Sequence, residues 1–214
     1  MIVVLDRQHV GKPGKRLSDQ GASNDLNHDG VIEAEERESA FTAMYLFAAE
    51  MELRRLGHQC LPVSDGLYSA RHQRVNGYAA GRPSETWVMV AAHLNSLTGG
   101  TRSGQSGNYG AVFWDHRSSP ANGPALAAAI GEELGKLPEL GANVRLWPAR
   151  GDNWTKNAFS TIRHLGARVV GICFEPAFMD HADHRPLFTA SGMERVGQAL
   201  ARGLHAWDLN RRTS

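Results

Sequence analysis

Six short runs of strand length, separated by stretches of helical period, restrict this chain more than any other feature. The runs lie at residues 2–5, 59–63, 87–92 (WVMVAA), 110–114, 144–147 and 169–174, and several are apolar at every position. A strand with no polar face is covered on both sides, as in a parallel sheet between helices. Helical patterning falls between the runs, at 33–56, 69–77, 124–137, 155–165 and 191–207. In the first of these, Phe41, Met44, Ala48 and Met51 recur three or four residues apart, and Gly57 supplies a C-terminal stop. The alternation predicts an α/β fold, with one twisted, mostly parallel sheet of about six strands and helices on both faces. A single domain over residues 1–214 is expected.

Composition removes several function classes. Hydrophobic residues make up 42% and charged residues 21%, which excludes a disordered or fibrous chain. The 23 Lys+Arg against 22 Asp+Glu leave no overall field to draw the chain to nucleic acid. No apolar run approaches the roughly 18 residues that span a bilayer. Cys60 and Cys173 are too few for a disulfide framework, and Cys173, inside an apolar run, reads as a small buried residue. The first apolar stretch has the length of a strand rather than of a secretory leader, so synthesis in a host cytoplasm is expected. A monomer is expected as well. Ten histidines tilt the chain toward metal chemistry or a polar ligand site.

Residues 25–36 match the twelve-residue EF-hand loop at each constrained position. Asp25, Asn27 and Asp29 supply oxygens at positions 1, 3 and 5, Gly30 permits the turn, Val31 offers its carbonyl and Glu36 a bidentate carboxylate. The other reading is a solvated acidic turn that caps the following helix. Residues 12–23 are polar and contain glycine, so no entering helix precedes the loop, which suits a structural Ca2+ clip better than a sensor.

Three titratable residues close three of the apolar runs. His9 follows the first, His93 directly follows 87–92, and Glu175 ends 169–174. Sites of open α/β sheets collect outside the carboxyl ends of the strands, so these residues are expected to meet. The Gly/Ser/Thr-rich segment 97–108 follows His93 and is expected to border the same site.

With those motifs, the sequence resembles the zinc-dependent N-acetylmuramoyl-L-alanine amidases, the family shared by cell-separation amidases and many phage endolysins. The resemblance spans nearly the whole chain. Val4-Leu5-Asp6, then His9 and Gly11, is similar to the opening strand and first zinc histidine of that family. The helix over 38–56 with Gly57-His58-Gln59-Cys60 resembles its ligand-bearing helix and second strand. Arg71 with Val75-Asn76, and Ala92-His93-Leu94-Asn95-Ser96, look like two further motifs, the latter bearing the second zinc histidine. Glu175-Pro176-Ala177-Phe178, with Asp183 and Leu187, is similar to the stretch carrying the catalytic glutamate. Gln8 and Val10 stand where the family usually has glycine, Leu94 where it usually has alanine, and the calcium loop is an insertion.

The resemblance implies Zn2+ held by His9, Glu38 and His93, with a fourth position for water. Glu38 lies nineteen residues before Gly57, whereas Glu36 is taken by the calcium loop and Glu33 and Glu35 fall inside it. It further implies hydrolysis of the amide between N-acetylmuramic acid and L-alanine of the stem peptide in peptidoglycan. Glu175 would act as general base on a zinc-activated water, and an endolysin use is expected. Asp6 and Asn95 are expected to orient the histidines. Trp114, Trp147 and Trp154 would pack on sugar or peptide, or serve as core and rim. His181 and His184 read as an exposed polar turn, and Arg211-Arg212 as a solvated tail. A zinc peptidase cutting within the stem peptide would use the same ligands, and a non-catalytic calcium-stabilised wall-binding module is the reading from another class.

Overall fold

The computed structural model describes residues 1–9, 21–22, 24–26, 29–96, 107–117, 122–141 and 143–213. Asn27 of the expected calcium loop, residues 12–20 and 23 of the polar segment before it, and residues 97–106 of the expected site-bordering loop lie outside these.

The strands are β1 (Ile2–Arg7), β2 (Gln59–Val63), β3 (Trp87–Ala92), β4 (Gly110–Asp115), β5 (Val144–Ala149) and β6 (Val169–Glu175). They form one six-stranded sheet in the order β2-β1-β3-β6-β4-β5. Every neighbouring pair is parallel except β4 against β6. The α/β fold with a mostly parallel sheet is therefore as the alternation predicts. Reversal of β4 brings its start beside the end of β6, with Ala111 opposite Glu175. The carboxyl ends of β1, β3 and β6 thus share one sheet edge with the amino end of β4.

Alternation along the strands splits the core into two layers. Val3, Leu5, Val88, Val90, Ile172 and Phe174 face one cluster, completed by α1 (Glu38–Arg55), α3 (Asn122–Leu134) and α5 (Ala190–Thr213). Ile2, Val4, Met89, Ala91 and Cys173 face the other, closed by α2 (Tyr68–Gly81) and α4 (Lys156–Ser160). Side chains such as Leu126, Ile130 and Leu200 are fully buried, and each such burial contributes about 1.5–3 kcal/mol. Helix α5 crosses α1 so closely at Gly197 that a Cβ there would lie 2.8 Å from the Ala49 nitrogen. No helix among the described residues is long and apolar enough to cross a membrane.

Several local expectations change. The helix expected over 33–56 is broken: a 3-10 turn spans Ala34–Glu36, Arg37 is extended, and α1 begins at Glu38. Its buried stripe is Phe41, Tyr45, Ala49 and Leu53, spaced by four, while Met44 and Met51 face outward, 38% and 57% exposed. Apolar spacing alone does not distinguish these two stripes, because both satisfy helical period. Helix α4 is five residues long rather than spanning 155–165. Helix α5 runs on to Thr213, and Arg211 and Arg212 pair with the buried Asp208 at 2.9 and 2.6 Å instead of forming a loose tail.

His72 ties α2 to the loop after α4, where its Nε2–H donates to the Thr161 carbonyl at 2.8 Å. Burial pushes its pKa down to about 4. The folded protein therefore holds a neutral imidazole, whereas the unfolded chain takes up a proton below about 6.5. Its contribution is complete above that value and is lost as pH falls toward 4. Between pH 7 and pH 5 the His72 contribution to stability is expected to fall by about 2 kcal/mol. Urea unfolding of wild type and His72→Gln at both pH values measures it, and an identical pH dependence in the two proteins would refute the assignment.

Candidate metal centre and catalytic cleft

Strand register brings the site together. Ala92 of β3 pairs with Phe174 of β6, and Arg7 of β1 pairs with Ala92. His93 and Glu175 follow those paired positions directly, and the His93 amide donates to the Phe174 carbonyl at 2.9 Å. His9 lies two residues past β1 in the left-handed region, with φ 58°. A non-glycine residue rarely adopts that conformation, and such residues concentrate at functional sites. The third side chain comes from α1. Glu38 begins that helix, where a carboxylate is favoured by the helix dipole, and the extended Arg37 turns it toward the sheet edge.

Three donor atoms converge. His9 Nε2 and His93 Nδ1 are 3.2 Å apart, and Glu38 Oε1 is 3.0 Å from His93 Nδ1 and 3.4 Å from His9 Nε2. Among the described residues this is the one group of at least three His, Cys, Asp or Glu side chains arranged to hold a metal. Four ligands at 2.0–2.1 Å around tetrahedral zinc lie about 3.3 Å from one another, so the triangle has the required size. Two imidazoles and one carboxylate are a donor set suited to zinc.

Glu38 is 3% exposed and firmly held. Its Oε2 accepts the Ala22 N–H at 2.7 Å and its Oε1 the Leu94 N–H at 3.0 Å. Burial favours its neutral acid, but the hydrogen bond and charge of His93 override this and keep its pKa below the usual carboxylate range. Glu175 behaves in the opposite way: burial, with the nearby Glu38 charge, raises its pKa against the opposing pull of His93.

Glu175 Oε2 accepts from the Asn95 amide at 2.7 Å. Asn95 therefore orients the carboxylate rather than the histidines. The Tyr45 hydroxyl donates to the His93 carbonyl at 3.0 Å and fixes the backbone at that ligand; nothing in the sequence pattern distinguished Tyr45 from other core residues. His9, His93 and Glu175 line one cleft of about 280 Å³ together with Tyr68 of α2 and Asn157 and Thr161 of the α4 segment. These last three were not expected at the site, since no motif marks them.

Asp6 does not contact the histidines either. It is fully buried, pairs with Arg71 at 2.6 Å, and accepts from the Gln8 amide. Arg71, also fully buried, donates to the carbonyls of Ser64, Gly66 and Arg7. The chain Arg71–Asp6–Gln8 braces the turn that presents His9, and Gln8 fills the space where a glycine is expected.

The expected calcium ligands are arranged differently from the zinc set. Asp25 accepts the Gly30 N–H at 2.9 Å, Asp29 the Val31 N–H at 2.9 Å, and Glu36 the amides of Leu26 and Glu33 at 2.7 and 3.2 Å. The described loop carboxylates thus bond to the loop's own backbone, and Val31 is 58% exposed. His184 is a correction. It is fully buried, its Nδ1 accepts the Phe178 N–H at 2.9 Å, and its Nε2 lies 3.0 Å from Asn108 Oδ1. Trp114 is half-buried against the α1/α3/α5 core, away from the cleft.

No protein-family model matches the sequence, and no curated protein matches it. Solved structures do share the fold. Cwp6 from Clostridium difficile superposes with a TM-score of 0.69 at 18% identity, over 96% of this chain and 29% of that one. The N-acetylmuramoyl-L-alanine amidase AmiC2 of Nostoc punctiforme gives 0.66 at 18% identity, over 100% of this chain and 98% of its own. The catalytic domain of CwlV, an N-acetylmuramoyl-L-alanine amidase from Bacillus (Paenibacillus) polymyxa var. colistinus, gives 0.64 at 19%, over 96% and 97%. The chain therefore has the α/β fold of amidase catalytic domains.

Removing Arg71 would leave the Asp6 carboxylate buried without its cation. Arg71→Met is expected to cost roughly 3–5 kcal/mol in chemical unfolding. A loss within about 1 kcal/mol, the size of a surface pair, would mean that the clamp does not brace the β1 end.

Proposed function

We propose that this chain is a zinc-dependent peptidoglycan hydrolase that cleaves the amide between N-acetylmuramic acid and L-alanine of the stem peptide. The observation that carries the reading is the convergence of His9, Glu38 and His93 donor atoms at 3.0–3.4 Å beside Glu175. The amidase fold of the neighbours, and the motifs that carry it here, support the choice of substrate. Zinc in such a site supplies a Lewis acid and a water acidic enough to ionise near pH 7. Glu38 holds its carboxylate in place through the Ala22 and Leu94 amides, so the charge of the site does not drift on binding. Glu175 lines the cleft with its Oε2 held by the Asn95 amide and its Oε1 3.7 Å from the weak Cys173 thiol donor. The Glu175 carboxylate takes the proton of the attacking water and returns it to the departing amide nitrogen.

Purified sacculi treated with the wild type are expected to gain free lactyl-muramoyl ends and free L-alanine amino termini in equal number. Glu175→Gln should lose about 10²–10⁴-fold in rate, the usual share of a general base, while still binding one zinc per chain. Release of amino ends without free muramoyl carboxyls would replace the amidase by a stem peptidase.

The 25–36 loop is proposed to bind a structural Ca2+, on the strength of its oxygen ligand pattern at alternate positions. One millimolar calcium against chelator should raise the melting temperature of the wild type, and Glu36→Gln should abolish that rise without removing zinc. No calcium-dependent shift would leave the segment as an acidic turn entering α1.

A further inference from the structure

Trp154 leaves 63% of its surface to solvent although its ring is held in place. It meets Trp147 at 4.8 Å between centroids and 87° between planes, and lies 6.0 Å from Phe113. Trp147 in turn meets Tyr109 at 5.5 Å, and Tyr109 meets Phe178 at 4.9 Å, both edge to face. Four rings therefore form a continuous row from the surface inward. The row is linked through the backbone to segments of the cleft wall at both ends. Phe178 bridges to Asn95, the residue that holds Glu175. Trp154 directly precedes Thr155 and α4, whose Asn157 and Ala158 line the cleft.

Leaving an indole exposed forgoes burial of a large apolar surface, so a fixed, exposed ring next in chain to a cleft-lining segment calls for a ligand explanation. A ring fixed by its neighbours offers broad contact at little entropic cost. Pyranoses present an apolar C–H face and a hydroxyl periphery, which allows them to stack on an aromatic ring while the hydroxyls stay in water. The amide in the proposed reaction is joined to a sugar by a single lactyl group, so a pyranose must lie next to the reacting carbon. We propose that Tyr109, Trp147 and Trp154 form an aromatic shelf that carries N-acetylated sugar rings of the glycan strand beside the cleft. This rests on the amidase reading for the identity of the strand. It does not need the zinc chemistry, because the shelf binds sugar whether or not an amide is cut.

The probe is the tetramer of N-acetylglucosamine, which carries the pyranose faces but has no stem peptide to be released. Calorimetric titration of the full chain is expected to give measurable binding, weakened about tenfold in Trp154→Ala, the size of one aromatic contact. Trp154→Phe, which keeps a ring, should retain affinity within about threefold on the same scale. On intact glycan strands Trp154→Ala should raise KM about tenfold with kcat unchanged, as for a lost binding contact. A tetramer that does not bind the wild type, or that binds Trp154→Ala equally well, overturns the shelf even if the wild type cleaves sacculi. Binding that Trp154→Ala abolishes, in a protein that releases no muramoyl ends, supports the shelf and overturns the amidase reading instead.

Discussion

Three donor atoms held at 3.0–3.4 Å from one another are the constraint around which this molecule is arranged. A carboxylate at 3% exposure is costly to keep ionised. Surrounding structure holds the donors in place: backbone amides at Ala22 and Leu94 hold Glu38, the Tyr45 hydroxyl holds the His93 backbone, and β-register holds His93 to β6. The same three atoms are spaced as ligands of one divalent ion are.

A second buried charge pair supports the first from behind. Arg71 and Asp6 are both fully buried, and the guanidinium spends its remaining donors on the carbonyls around the β1 and β2 ends. Such a pair contributes less to net stability than to uniqueness of geometry. Here the geometry concerns the left-handed His9 turn, which Gln8 completes by donating to Asp6. The Gln8 side chain is thus fixed in a buried polar network beside that turn.

Much of the fold was legible because strands buried on both faces leave an unmistakable apolar signature, and β3 has the very bounds its WVMVAA run suggests. Helix ends and faces were less legible. Phe41 and Met51 sit equally well on a helical stripe, yet Phe41 packs on Phe188 while Met51 is exposed, because only the crossing of α5 decides which stripe is covered. His184 looked like a loop residue, since its partners Phe178 and Asn108 are brought to it by the chain's return around the sheet edge.

Local period and strand-end position are written in neighbouring residues, which is why the alternating α/β architecture and the positions of His9, His93 and Glu175 were readable from the chain alone. The sequence could not measure the distance between residues 55 or 84 positions apart, such as Glu38 and His93 or His9 and His93. Tertiary packing alone brought these side chains to one point, Asn95 to Glu175, and Tyr109, Trp147 and Trp154 into one row. Those outcomes depend on strand order and the reversal of β4, which long-range packing sets and no local pattern encodes.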